Sequence, residues 1–117
     1  MRILYLEDEG PDAELVERYV QITPHQIDIA KTIQEATLML EKSPDLILVD
    51  IFLNHSRDGY EFVSKLRSQG YDRPIVAVTG MALPSDVEQC YQAGVNDILK
   101  KPYSVTELVA MLNQYLI

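Results

Sequence analysis

The run Asp45-Leu46-Ile47-Leu48-Val49-Asp50 constrains the fold of this 117-residue chain more than any other stretch. Four aliphatic residues lie between two aspartates. An unbroken apolar run of that length is the pattern of a strand buried on both faces, as in a parallel sheet. Asp50 stands at its C-terminal end, and open α/β sheets bind ligands outside the carboxyl ends of their strands. The bland alternative is that Asp50 only ends the strand and caps the following loop.

The rest of the chain repeats the pattern. Arg2-Ile3-Leu4-Tyr5-Leu6 is an apolar strand that runs into three acids, Glu7-Asp8-Glu9. Pro11 suits the first turn of a helix, and Asp12 and Glu14 suit its N-terminal dipole. Leu15, Val16, Tyr19, Val20 and Ile22 give that helix an apolar face. Ile27-Asp28-Ile29-Ala30 alternates like a strand nearer the sheet edge. Thr32 with Glu35 is a capping box for a second helix carrying Ile33, Ala36, Leu38, Met39 and Leu40. After the Asp50 strand and a polar loop, 54–59, Tyr60, Phe62, Val63 and Leu66 form a third helix. Pro74-Ile75-Val76-Ala77-Val78-Thr79 is an apolar strand ending at a hydroxyl. Ser85 with Glu88 reads as the cap of a fourth helix, and Gly94 as its stop. Val95-Asn96-Asp97-Ile98-Leu99 is a short strand followed by Lys100-Lys101-Pro102-Tyr103. Ser104 with Glu107 opens a last helix whose apolar face is Val105, Leu108, Val109, Leu112, Tyr115 and Leu116.

Five β-α repeats imply a parallel sheet with helices on both faces. In this length they fit the flavodoxin-like doubly wound order 2-1-3-4-5, as one domain over 1–117. The first and third strands then flank the switch point, which sets the end at Glu7 and Asp8 beside Asp50. The 18 acidic and 10 basic residues leave a net charge of −8. That argues against a general nucleic-acid or anionic-membrane surface. The lone cysteine, Cys90, excludes an internal disulfide and reads as small core packing. No apolar stretch approaches the ~20 residues of a spanning helix. Met1-Arg2 runs straight into the first strand with no secretory core, so a cytoplasmic location is expected.

Four strand ends thus offer acids at Glu7 and Asp8, an acid at Asp50, a hydroxyl at Thr79 and an ammonium at Lys101. Each alone can be a solvated turn or a surface charge, but all fall at the carboxyl edge of otherwise apolar strands. Clustered carboxylates repel, and a hard divalent ion such as Mg²⁺ removes that cost with oxygen ligands. Aspartate is a nucleophile toward phosphoryl groups, and a lysine and a hydroxyl are partners for the oxygens of the product. The chemistry implied is Mg²⁺-assisted transfer of phosphate onto Asp50.

Leu6-Glu7-Asp8-Glu9, Asp45 to Asp50 with Asp58-Gly59 downstream, Val78-Thr79-Gly80 and Gly94 through Tyr103 resemble the receiver domain of response regulators in two-component signalling. The resemblance covers essentially the whole chain. It implies that Asp50 is the phosphoacceptor, that Asp8 binds Mg²⁺ directly and Glu7 directly or through water, and that the carbonyl of Phe52 is a further metal ligand. It implies Thr79 as the switch hydroxyl and Lys101, before Pro102 and through a cis bond, as the phosphoryl counter-ion; Lys100 is the competing choice. It further implies a histidine kinase or histidine phosphotransfer protein as donor, with an output domain or target protein downstream. The readout expected is the face of the fourth helix, fifth strand and fifth helix, where a homodimer is one mode of assembly. The protein is expected not to be an enzyme beyond its own phosphorylation and dephosphorylation. It is expected as a stand-alone receiver or the N-terminal receiver of a longer protein.

Three departures qualify the match. Asn54 replaces the usual proline and Asp58-Gly59 comes about one residue late. Gly80 replaces the usual alanine. Ile98 stands where an aromatic ring often turns inward on activation. The alternatives are a small-molecule phosphatase using Asp50, against which Phe52 occupies the place of the second acid, a flavodoxin-like cofactor binder, against which the first strand ends in acids rather than a phosphate loop, and a degenerate receiver acting as a binding module. His25 and His55 lie in expected loops, His55 nearer to Asp50.

Overall fold

The computed structural model describes residues 1–52, 58–80 and 83–115. Its elements are β1 (Arg2–Leu6), α1 (Gly10–Gln21), β2 (Gln26–Ala30), α2 (Ile33–Met39) with a 3-10 turn at Leu40–Lys42, β3 (Leu46–Asp50), α3 (Asp58–Ser68), β4 (Ile75–Thr79), α4 (Pro84–Ala93), β5 (Asp97–Lys100) and α5 (Val105–Tyr115). All neighbouring strands pair in parallel, in the order β2-β1-β3-β4-β5. This is the expected flavodoxin-like doubly wound sheet.

The two-residue period of the strands divides the core. Leu4, Leu6, Ile47, Val49, Ile75 and Ala77 pack with Ala36 of α2, with Tyr60, Phe62, Val63 and Leu66 of α3, and with Cys90 of α4. Their alternates Ile3, Tyr5, Leu46, Leu48, Val76 and Val78 pack with Val16 and Val20 of α1 and with Leu108 and Leu112 of α5. Burying each such aliphatic side chain contributes about 1.5–3 kcal/mol. The same parity continues past the strand ends and decides the site. Glu7 follows Ile3 and Tyr5, and Asp50 follows Leu46 and Leu48, so both fall on the side of α1 and α5. Thr79 follows Ile75 and Ala77, on the side of α2, α3 and α4.

Several helix faces are narrower than expected. Leu15, Ile22, Leu38, Val105 and Val109 are exposed. In α1 the buried row is Ala13, Val16 and Val20, and Leu15 lies one position off it, while Ile22 is the cap beyond the helix. In α5 the buried row is Leu108 and Leu112, and Val105 and Val109 each lie three residues before a member of it, off its line. Leu116 lies outside the described residues. The Thr32 cap forms, with Glu35 N–H donating to Thr32 Oγ1 at 3.1 Å. The Glu107 N–H likewise donates to Ser104 Oγ at 3.1 Å. Ser85 does not cap α4. That helix starts a residue earlier at Pro84, whose missing N–H and preset φ suit the first turn, and no side chain caps it. Pro74 and Val95 fall just outside their strands.

Two glycines are dictated by the fold. Gly94 closes α4 at φ +120°, in the left-handed region. At Gly59 a Cβ would lie 2.6 Å from the Cα and carbonyl oxygen of Ile51 and 2.7 Å from the carbonyl oxygen of Asp50. The start of α3 therefore rests directly on the backbone at the end of β3.

Candidate functional site

Pairing of Leu6 with Val49 brings the ends of β1 and β3 together. One carboxylate oxygen from each of Glu7, Asp8 and Asp50 lies within 4.8 Å of the others. Glu7 is fully buried. Tyr5, two residues back on the same face, donates its hydroxyl to Glu7 Oε2 at 3.0 Å, and the Glu9 N–H reaches Oε1 at 3.2 Å. Asp50 is 7% exposed, and its Oδ1 accepts the Phe52 N–H at 3.2 Å.

Lys101 reaches this cluster from the end of β5. Its N–H donates to the Thr79 carbonyl at 2.8 Å, and its bond to Pro102 is cis, as expected. The ammonium lies 2.8 Å from Glu7 Oε2, 3.0 Å from Asp12 Oδ2 and 4.0 Å from Asp50 Oδ2. Lys100, the competing lysine, points to solvent as an exposed residue of β5. A cleft of about 340 Å³ opens above the group, lined by Asp8, Glu9, Asp12, Asp50, Phe52, Gly80 and Lys101.

Burial, then the hydrogen bond and charge of Glu7, push the Asp50 carboxyl up to about 7, against the pull of Lys101 and the Phe52 N–H. Burial alone would lower the Lys101 ammonium. Its bonds to Glu7 and Asp12 and the charge of Asp50 instead hold it well above the usual lysine range. Burial and Glu7 likewise raise the Tyr5 phenol far above its ordinary value. Several acids thus share one ammonium in a poorly solvated place, which strongly favours a divalent cation among hard oxygen donors. The residues present fit Mg²⁺.

The strand ends therefore bring together Glu7, Asp8, Asp50 and Lys101, with Phe52 on the cleft wall. Thr79 is placed differently. It is 3% exposed, ends β4 on the opposite side of the sheet from Asp50, and is not among the residues lining the cleft, where Gly80 stands instead. Sequence reading missed two participants. Tyr5 was legible, since strand periodicity puts it on the face of Glu7. Asp12 was read only as a helix-dipole residue, and its contact with Lys101 spans 89 positions of sequence. Ile98 is half-buried against the α2–α4 side of the core and paired with Ala77. His25 Nδ1 lies 3.3 Å from the N-terminal amine. His55 and Asn54 lie outside the described residues.

Known proteins similar to this chain point to one family. Residues 3–113 match the family model for the response regulator receiver domain. The response regulator MprA of Mycobacterium leprae is 31% identical over 117 residues, covering 99% of this chain and 51% of that protein. The probable C4-dicarboxylate response regulator DctR of Halalkalibacterium halodurans is 32% identical over 118 residues, covering 98% and 51%. The chain thus spans about half the length of the curated relatives it matches. In fold it is similar to the BeF3-activated N-terminal receiver domain of Klebsiella pneumoniae RstA, with a TM-score of 0.89 at 24% identity over 99% of this chain and 98% of that one. Vibrio cholerae CheY4 gives a TM-score of 0.89 at 24% identity, over 98% of each chain. From its two-sided parallel sheet, its acid cluster and a family match over nearly its whole length, the chain belongs to the response regulator receiver domain family.

Proposed function

We propose that Asp50 accepts a phosphoryl group from a phosphohistidine on a histidine kinase or histidine phosphotransfer protein, and that the transfer switches a protein-interaction surface. The observation that carries this is the set of distances around Asp50: two further acids with oxygens within 4.8 Å and the Lys101 ammonium at 4.0 Å. An Asp50 oxygen attacks phosphorus. The bond from phosphorus to the donor imidazole nitrogen breaks, and its electron pair stays on the ring. The product is an acyl phosphate on Asp50.

Glu7, Asp8, Asp50 and the Phe52 carbonyl would hold Mg²⁺, which when bound supplies positive charge for the acids and the phosphoryl oxygens. The Phe52 N–H orients Asp50 through Oδ1. The buried Glu7, fixed by Tyr5, anchors Lys101 beside the point where phosphoryl charge arrives. Thr79 ends β4 on the side of α2, α3 and α4, and its turning toward the phosphoryl group would couple phosphate to that side of the sheet. The readout face of α4, β5 and α5 carries Tyr91, Val105 and Val109 exposed, a surface for a target or a second copy.

The test is incubation with Mg²⁺ and acetyl phosphate, for wild type and Asp50→Asn, followed by intact mass. The wild type gains one phosphate that survives acid and is lost in base; the variant gains none. A wild type that stays unlabelled, or an equally labelled variant, overturns the reading.

A further inference from the structure

We propose that Asp12 is a positioning residue that restrains Lys101. It draws the ammonium to the mouth of the cleft and off Asp50, and it competes for the lysine with a phosphoryl group on Asp50. The inference rests on Asp50 being the phosphoacceptor.

An ammonium has three N–H donors. Lys101 directs two of them at Glu7, 2.8 Å away, and Asp12, 3.0 Å away, while Asp50 at 4.0 Å is beyond hydrogen-bond reach. The two bonded partners differ in freedom. Glu7 is fully buried and held by the Tyr5 hydroxyl and the Glu9 N–H. The Asp12 side chain is 37% exposed in the first turn of α1. Glu7 is therefore the fixed anchor and Asp12 the partner that can yield. There is room for it to do so. Asp12 borders the Asp50 cleft and also a second cavity of about 350 Å³, formed with Leu15, Pro102 and Tyr103.

Before transfer, Asp12 and Asp50 are rivals for one cation. After transfer, a phosphoryl group with more negative oxygens than Asp12 outbids it. Removing the Asp12 charge therefore removes a competitor. This distinguishes a restraint from a support, since a support that merely held Lys101 in place would lower affinity for phosphoryl groups when lost.

Two measurements on the full chain test this. The first uses no metal or phosphate. In ¹⁵N-lysine-labelled protein with a chelator, the Lys101 ammonium resonance of the wild type exchanges slowly with water. It broadens or moves in Asp12→Asn and stays near the wild-type position in Asp12→Glu. The second is titration with beryllofluoride and Mg²⁺, read by NMR. Asp12→Asn binds about two- to five-fold tighter than wild type, the range of a partly exposed ion pair, and Asp12→Glu returns toward wild type. Glu9→Gln is the control, because it removes the same charge from the same cleft without touching Lys101, and its change is much smaller. An unchanged ammonium signal, weaker binding by Asp12→Asn, or an equal gain in Glu9→Gln overturns the restraint while leaving Asp50 as acceptor. A wild type that binds no beryllofluoride overturns the Asp50 reading and the restraint with it.

Discussion

Asp45 and Asp50 close the two ends of one strand, and their surroundings are opposite. Asp45 accepts the Arg2 N–H on Oδ2 at 2.8 Å and the Arg73 guanidinium on Oδ1 at 3.1 Å. Close by, Arg67 donates to the carbonyls of Gly94, Tyr71 and Arg73 and to Asn96 Oδ1, all at 2.7–2.8 Å, and its guanidinium carbon lies 5.8 Å from the centre of the Tyr71 ring. At this amino edge cations and acceptors are matched, and the network ties α3 to the loops before β4 and β5. At the carboxyl edge the balance is reversed. Among the described residues, Asp50 accepts the Phe52 N–H at 3.2 Å, has the carboxylates of Glu7 and Asp8 close by, and meets the Lys101 ammonium only at 4.0 Å, where it is bonded to Glu7 and Asp12. The same residue type flanking one strand is a tie at one end and a crowded, weakly compensated acid at the other. The difference locates chemistry more sharply than the presence of acids does.

The largest effect expected from disturbing the carboxyl end is that of Gly59→Ala. Its Cβ would meet the backbone of Ile51 and Asp50 at 2.6–2.7 Å. Because backbone cannot swing aside, the variant loses about 3 kcal/mol or more in denaturant unfolding and much of its phosphoryl acceptance. A cost below about 1 kcal/mol would mean that α3 does not rest on the end of β3.

Next is Asp50→Asn without metal. The Asp50 carboxyl titrates at about 7 when folded against 3.8 as its ordinary value. The folded state thus holds the extra proton between those values, so metal-free stability falls as pH rises from about 4 to about 7. The Asn variant lacks this slope. It is more stable than wild type at pH 8, by no more than a few kcal/mol, and matches it below about pH 4. Unfolding curves across pH in a chelator check this, and parallel pH profiles would contradict the strained-anion picture.

Arg67→Ala comes third, at about 2 kcal/mol of stability, with phosphoryl acceptance retained, and Arg67→Lys recovers only part of the loss because it cannot reproduce the fork of donors. Loss of labelling without loss of stability would instead place Arg67 in the chemistry. The smallest effect is Asp45→Asn, about 1 kcal/mol from a partly exposed pair, again with labelling intact.

The strands were readable because both-face burial leaves a continuous aliphatic signature, and four strands ended within a residue of where the polar residues begin. Helix faces were over-read at Leu15, Leu38, Val105 and Val109, since an aliphatic residue one position off the buried row looks the same in sequence as one on it. The cap of α4 was misplaced because Ser85 and Glu88 form a valid capping pair in isolation, and Pro84 takes the first turn before they can act. Glu7, Asp8 and Asp50 were legible from topology, since strand order sets the ends of β1 and β3 side by side, whereas Lys101, at the end of a strand adjacent to neither, was distinguished from Lys100 by the family resemblance. Asp12 was not legible, because its role depends on how far a lysine 89 residues away extends toward α1. The side of the sheet that Thr79 occupies was legible in principle from strand parity with Ile75 and Ala77.

The most direct test locates the phosphate. Protein treated with Mg²⁺ and acetyl phosphate is reduced with borohydride, which converts an aspartyl phosphate to homoserine, and the peptide containing both ends of β3 is sequenced by tandem mass spectrometry. The contrast between the two aspartates predicts homoserine at position 50 and intact aspartate at position 45. Homoserine at position 45 or position 8, or none anywhere in a protein shown by intact mass to carry phosphate, would contradict it.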